Sequence, residues 1–176
     1  MLFGTRRPGM LAAAAPHRVR AMRNLIAVTT LALALALPAQ AGAMIQIDQG
    51  IAGARIGNSQ AQVKAALGTP DLVKTGNNVF GPWTQFFYEG GLRVFFQGND
   101  EVTSVATLGR GDRTSKGIGV GNTEKALKQK HPSLKCETVG GFRSCHTGNG
   151  EPGERVSDFW ISKGKVTRVV VGIVID

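Results

Sequence analysis

The chain has 176 residues and a formal net charge of +9, from 21 basic and 12 acidic side chains. Five of the bases (Arg6, Arg7, Arg18, Arg20 and Arg23) and none of the acids precede residue 24, so the remainder carries only +4. The two cysteines and the two histidines beyond that point offer too few ligands for a metal centre, and no catalytic motif accompanies them.

Residues 25–37 form an uncharged run of Leu, Ala, Val, Ile and Thr preceded by Arg23 and closed by Pro38. Ala39-Gln40-Ala41 satisfies the small-x-small rule of signal peptidase, which predicts cleavage between Ala41 and Gly42, with cleavage after Ala43 as the alternative. The run has 13 residues, short of the roughly 20 that a helical bilayer span needs, so no stable membrane span is expected after cleavage. Residues 1–41 therefore read as a signal peptide with an over-extended start; Met22 would make a conventional one. The Arg6-Arg7 pair is followed by Pro8-Gly9-Met10, a poor match to a twin-arginine signal. The expected location is the cell exterior or envelope.

The rest of the chain repeats itself at an offset of 64 residues. Gly57-Asn58-Ser59 meets Gly121-Asn122-Thr123, and Val102-Thr103-Ser104-Val105 meets Val166-Thr167-Arg168-Val169. The predicted units are residues 42–108 and 109–176. In the first, Ser59 is a helix cap with Gln62 at the capping-box spacing, Val63 and Leu67 share a helix face, and Gly68 and Pro70 end the helix. Strands are predicted at 72–75, 84–88, 92–97 and 102–108, broken at Gly76-Asn77-Asn78, Gly90-Gly91 and Gly98-Asn99. In the second unit Thr123 caps, Glu124 suits the helix N-terminus, Leu127 faces inward and His131-Pro132 ends the helix. Strands are predicted at 135–139, 142–146, 156–162 and 165–175. The expected fold class is α+β: two tandem units, each a short helix followed by an antiparallel sheet of three to four strands.

Cys136 and Cys145 fall on neighbouring strands of one hairpin and, in an exported chain, are expected to form a disulfide. A metal or nucleophile site built from them with His131 or His146 lacks a third partner.

The Ile56-Gly57-Asn58-Ser59 and Val120-Gly121-Asn122-Thr123 segments, with Val63 and Leu127 four residues beyond their caps, each precede a short helix and antiparallel strands. In this the chain resembles the beta-lactamase-inhibitor-protein type of fold and the SmpA/OmlA (BamE-like) envelope proteins. As architecture the resemblance covers most of residues 50–176. It departs from the inhibitor pattern in having no cysteine pair in the first unit and no alignable inhibitory loop, and no lipid-anchor cysteine stands near the cleavage site. It implies protein binding more than catalysis.

The functional reading that follows is a secreted, non-enzymatic binding module, a protein inhibitor or envelope-associated factor, with an extracellular or envelope protein as partner and no cofactor. Its candidate contact residues are Phe87, Arg93, Phe95, Trp160 and Arg168, aromatic and arginine side chains on strand positions opposite the presumed core. The competing assignment is burial, the commoner fate of Phe and Trp in strands. A second reading uses Lys125, Lys128, Lys130 and Lys135, in a half that carries +5 against −1 for residues 44–108, to hold an anionic polymer. The plain alternative is a solvated helix face. An extracellular hydrolase would require Asp158, His146 and a hydroxyl to converge in a cleft.

Overall fold

A computed structural model describes residues 44–98 and 100–175. The apolar run, the cleavage site at Ala41 and Gly42 and the arginine-rich N-terminus lie outside the described residues. Three short strands come first: β1 (Met44–Gln46), β2 (Gly50–Ile51) and β3 (Ala54–Arg55). Helix α1 (Gln60–Leu67) follows, then β4 (Leu72–Asn78), β5 (Gly81–Phe87), a 3-10 turn at Glu89–Gly91, β6 (Arg93–Gln97) and β7 (Glu101–Thr107). Strand β8 (Arg113–Thr114) leads to α2 (Glu124–Lys130), β9 (Lys135–Val139), β10 (Phe142–His146), β11 (Arg155–Ser162) and β12 (Lys165–Ile173). Among the described residues no helix is long and apolar enough to cross a membrane.

The expected fold class is corrected by this arrangement. The protein is mostly β, with 49% of the described residues in strands and 14% in helices. One antiparallel sheet of eight strands runs in the order β4-β5-β6-β7-β12-β11-β10-β9, and a second sheet of four runs β3-β2-β1-β8. Two tandem helix-plus-sheet units do not describe it. The physical reason is the pairing of β7 with β12, where Val105 lies opposite Val171 and Thr107 opposite Val169. Each of these strands is apolar on one face and, left at an edge, would expose a row of unpaired N–H and C=O groups. The small sheet also crosses the expected boundary, because β1 pairs in parallel with β8 through Ile45 and Thr114.

The predicted helix signals act locally. The Ser59 hydroxyl accepts from the Gln62 N–H at 3.3 Å, and the Gln62 side-chain oxygen accepts from the Ser59 N–H at 2.8 Å. Thr123 caps α2 by accepting from the Ala126 N–H at 3.1 Å. The residues before each cap carry the same bonds. Gly57 N–H donates to the Val102 carbonyl and Val102 N–H to the Asn58 carbonyl, both at 2.9 Å. Gly121 N–H donates to Val166 at 2.8 Å, and Val166 N–H to Asn122 at 2.9 Å. The geometry needs φ of +84° at Gly57 and +96° at Gly121, which glycine adopts without a Cβ clash.

The turn predicted at Gly76-Asn77-Asn78 is not there. Gly76 lies inside β4 opposite Trp83, and the hairpin turns at Val79 and Phe80 instead. A Cβ at Gly76 would sit 2.5 Å from the Trp83 ring, so this glycine makes room for an indole.

Alternation along the strands sends Phe86, Val94, Phe96, Val105, Phe159, Ile161, Val169 and Val171 to one face, all 8% exposed or less. Val63 of α1 and Leu127 of α2, both fully buried, cover that face together with Ile45, Ile51 and Ile118 from the small sheet and its connections. The cysteines are directly opposite on β9 and β10 and form the Cys136–Cys145 disulfide. Closing this ten-residue loop contributes about 2.5–3 kcal/mol in the chain-entropy account.

Candidate binding site

Among the described residues no helix covers the other face of the eight-stranded sheet, and the five candidate contact residues all stand on it. Phe87, Phe95, Trp160 and Arg168 are half-buried and Arg93 is exposed, so none belongs to the core. The burial assignment fails for them because each core-facing neighbour (Phe86, Val94, Phe96, Phe159 and Ile161) takes the inward position instead.

Cations and aromatic rings alternate across this face. Lys74 and Arg93 approach the Phe87 ring at 5.3 and 5.5 Å, one from each flanking strand. Trp83 stacks on Phe95 with centroids 5.7 Å apart. On the far side the Arg168 guanidinium lies 3.8 Å over the Trp160 ring, and Phe142 packs against the same indole at 5.7 Å. Phe87 and Arg93 are cross-strand partners, as are Trp160 and Arg168. Such pairs contribute about 0.5–1 kcal/mol when exposed and hold both side chains in place.

Two register shifts place the key rings. The ladder slips between Phe95 and Phe96 and again between Trp160 and Ile161. The extra residues are Thr103 and Thr167, whose hydroxyls donate to the carbonyls of Phe95 and Trp160 at 3.5 and 3.3 Å. A bulge bends its strand and re-aims the neighbouring side chain.

Between these flanks the floor is low. Ser104 is paired with Gly172 and Ala106 with Val170 on the central strands. A Cβ at Gly172 would meet that of Ser104 at 3.2 Å, closer than ordinary packing. Small side chains at the seam and large ones beside it leave a cavity of about 390 Å³ lined by Arg93, Phe95, Asp158, Trp160 and Arg168 among others. A second cavity of about 350 Å³ lies toward the β9–β10 edge and shares Val156, Asp158 and Trp160 with the first.

Asp158 stands where the cavities meet. Burial raises its pKa, opposed by hydrogen bonding from Ser144, the charge of His146, the Trp160 indole N–H and the charge of Arg168. Its Oδ1 atom and the Nε of Arg168 are buried without a hydrogen-bond partner among the described residues.

Ser144, His146 and Asp158 do line the second cavity together. However, the His146 Nε2 atom lies 3.1 Å from Glu137 and its Nδ1 lies 3.0 Å from the Thr147 carbonyl, so neither nitrogen addresses the Ser144 hydroxyl. A general base must reach the proton it removes. His131, the other histidine among the described residues, lies 3.1 Å from the Thr114 hydroxyl; burial, then the charge of Lys116, lowers its pKa. Glu124 stands near the two sulfurs, but the disulfide occupies both, and Glu124 itself holds Arg143 and Lys128.

Three of the four lysines are on the helix side of the sheet, whereas Lys135 lies opposite His146 and shares the face of Glu137 and Val139 beside the second cavity. Lys125, Lys128 and Lys130 lie on the exposed side of α2, opposite buried Leu127. Lys128 is paired with Glu124 at 2.9 Å, and Lys135 bonds Asn149 within the field of Glu154.

Trp83, Lys74 and Phe142 are members of the open face that are absent from the expected contact set, whereas Asp158 is expected to share the face of Trp160. The alternation Trp83, Gln85, Phe87 carries the signal for the first of them, hidden by the apparent turn at Gly76.

No family model matches the chain, and no curated protein matches it in sequence. Among solved structures it is similar to an extracellular protein containing an SCP domain from Bacillus anthracis, at 10% identity and a TM-score of 0.47 over 67% of this chain and 44% of that one. This chain thus spans less than half the length of that protein. A DUF4309 family protein, YjgB, from Bacillus subtilis is similar at 16% identity and a TM-score of 0.46, covering 70% and 84% of the two chains. The uncharacterized protein yfeY from Escherichia coli is similar at 11% identity and a TM-score of 0.41, covering 74% and 99%. None of the three is a beta-lactamase-inhibitor-type or BamE-like protein.

Proposed function

We infer that the chain is an exported, non-enzymatic binding protein that holds an extracellular or envelope protein on the open face of its large sheet. The observation that carries this reading is the row of aromatic rings capped by Lys74, Arg93 and Arg168, next to a cavity, on a face that no helix covers among the described residues. Aromatic and arginine side chains dominate the binding energy of protein interfaces, because they bury large areas at small entropic cost and pair with polar groups. Export is supported by the apolar run with the Ala39-Gln40-Ala41 that follows it and by the disulfide, a bond that persists in oxidising compartments. The polymer-binding alternative draws less support, since Glu124 and Glu154 lie among the lysines it would use.

The test is affinity capture from the producing organism's envelope and medium, with captured proteins identified by mass spectrometry. Trp160→Ala with Phe95→Ala should abolish capture of a specific protein, whereas Lys125→Ala with Lys128→Ala should leave it intact. The reverse pattern would overturn the reading.

A further inference from the structure

We propose that the cavity between Arg93 and Arg168 receives a carboxylate side chain of the partner protein, an aspartate or glutamate next to an apolar residue. This rests on the open face being the binding surface, and goes beyond it by stating the chemistry of the anchor.

Charge complementarity points to an anion. Neither Arg93 nor Arg168 is in a salt bridge among the described residues, although both line the same cavity of about 390 Å³. The Trp160 ring, 3.8 Å away, fixes the position of the Arg168 guanidinium, whose Nε has no hydrogen-bond partner among the described residues. A guanidinium held against an aromatic face keeps its N–H fork for a planar acceptor, which a carboxylate matches with two parallel bonds. Asp158 is the cavity's acidic side chain, and even when ionised its single charge does not cancel those of two arginines.

The size and lining point to a protein side chain. Ser104 and Gly172 make the floor low, while Phe95, Leu108 and Val170 give apolar walls. A sulfated or phosphorylated polymer presents anions without an apolar neighbour and would leave those walls wet. An acidic residue beside an aromatic or aliphatic one satisfies both features.

Two capped tripeptides test the assignment: a glutamate between two phenylalanines, and the same peptide with glutamine at the centre. Binding is followed by NMR through the indole N–H signal of Trp160. The glutamate peptide should bind about tenfold more tightly than its neutral twin, the scale of one charge-assisted contact at an interface. Arg93→Gln should remove that difference, and Lys125→Gln should not. Arg93 is exposed, and equal melting temperatures of the variant and the wild type exclude misfolding as the cause. Equal binding of the two peptides, no binding of either, or a preference for heparin over the glutamate peptide that Arg93→Gln abolishes would each overturn the proposal. If Trp160→Ala still abolishes partner capture when the peptides bind equally, the docking face stands and the carboxylate anchor alone falls.

Discussion

The Trp160 and Arg168 pair shows how single residues set the character of this face. Their neighbours in sequence, Phe159 and Val169, are fully buried, so alternation turns the indole and the guanidinium outward and the slip after Trp160 fixes their approach. A side chain with one face toward solvent costs less to remove than one enclosed on all sides. Phe86→Ala should therefore destabilise the fold by about 3–5 kcal/mol and Trp160→Ala by about 1–2 kcal/mol, measured by urea unfolding. Equal losses would place Trp160 in the core and end its role as a contact residue. Phe87, Arg93, Phe95 and Trp160 were legible as outward positions because alternation sorts them from the core, whereas Arg168 needed the pairing of the last two strands, since the extra residue Thr167 breaks the alternation between Val166 and Val169. Lys74, Trp83 and Phe142 were not legible, because their place beside Phe87, Phe95 and Trp160 comes from cross-strand register, which is not written in one strand's sequence.

At the scale of elements, capping chemistry was the most readable signal, since a cap and the N–H groups it satisfies are three residues apart. Helix α2 adds a tertiary clamp. Glu124 in its first turn accepts from Arg143 of β10 at 2.7 Å and meets Lys128 at 2.9 Å, which together hold its carboxyl down at about 2. A carboxylate depressed in the folded state contributes stability above its unfolded pKa of about 4.3 and loses it as the pH falls toward 2. Glu124→Gln should accordingly cost about 1 kcal/mol at pH 7, the scale of a partly exposed ion pair, and nothing at pH 2. Thermal unfolding of both proteins at pH 7, 4 and 2 measures this; a constant difference would show that the carboxylate charge is not what binds α2 to β10. Strands β9 and β10 were found at their expected bounds because Gly140-Gly141 is a true turn, whereas Gly76 deceived by occupying a strand under Trp83. Strands β2, β3 and β8 have two residues each, too few for any periodicity to mark them.

For the whole molecule, the repeated bonds around Gly57 and Gly121 describe how each helix is tied to a strand, and are silent about which strand edges meet. The union of β7 and β12 decides the architecture, and it joins residues 62 to 68 positions apart that no local pattern links. The same union sets Ser104 and Gly172 side by side and so creates the low seam between the two aromatic flanks. The central claim, that this seam and its flanks form the contact surface, is tested most directly by hydroxyl-radical footprinting of the full chain, free and with its captured partner. Oxidation of Phe95, Phe142 and Trp160 should fall in the complex while the exposed side of α2 stays as reactive as before. Protection of α2 with Phe95 and Trp160 still reactive would contradict the account.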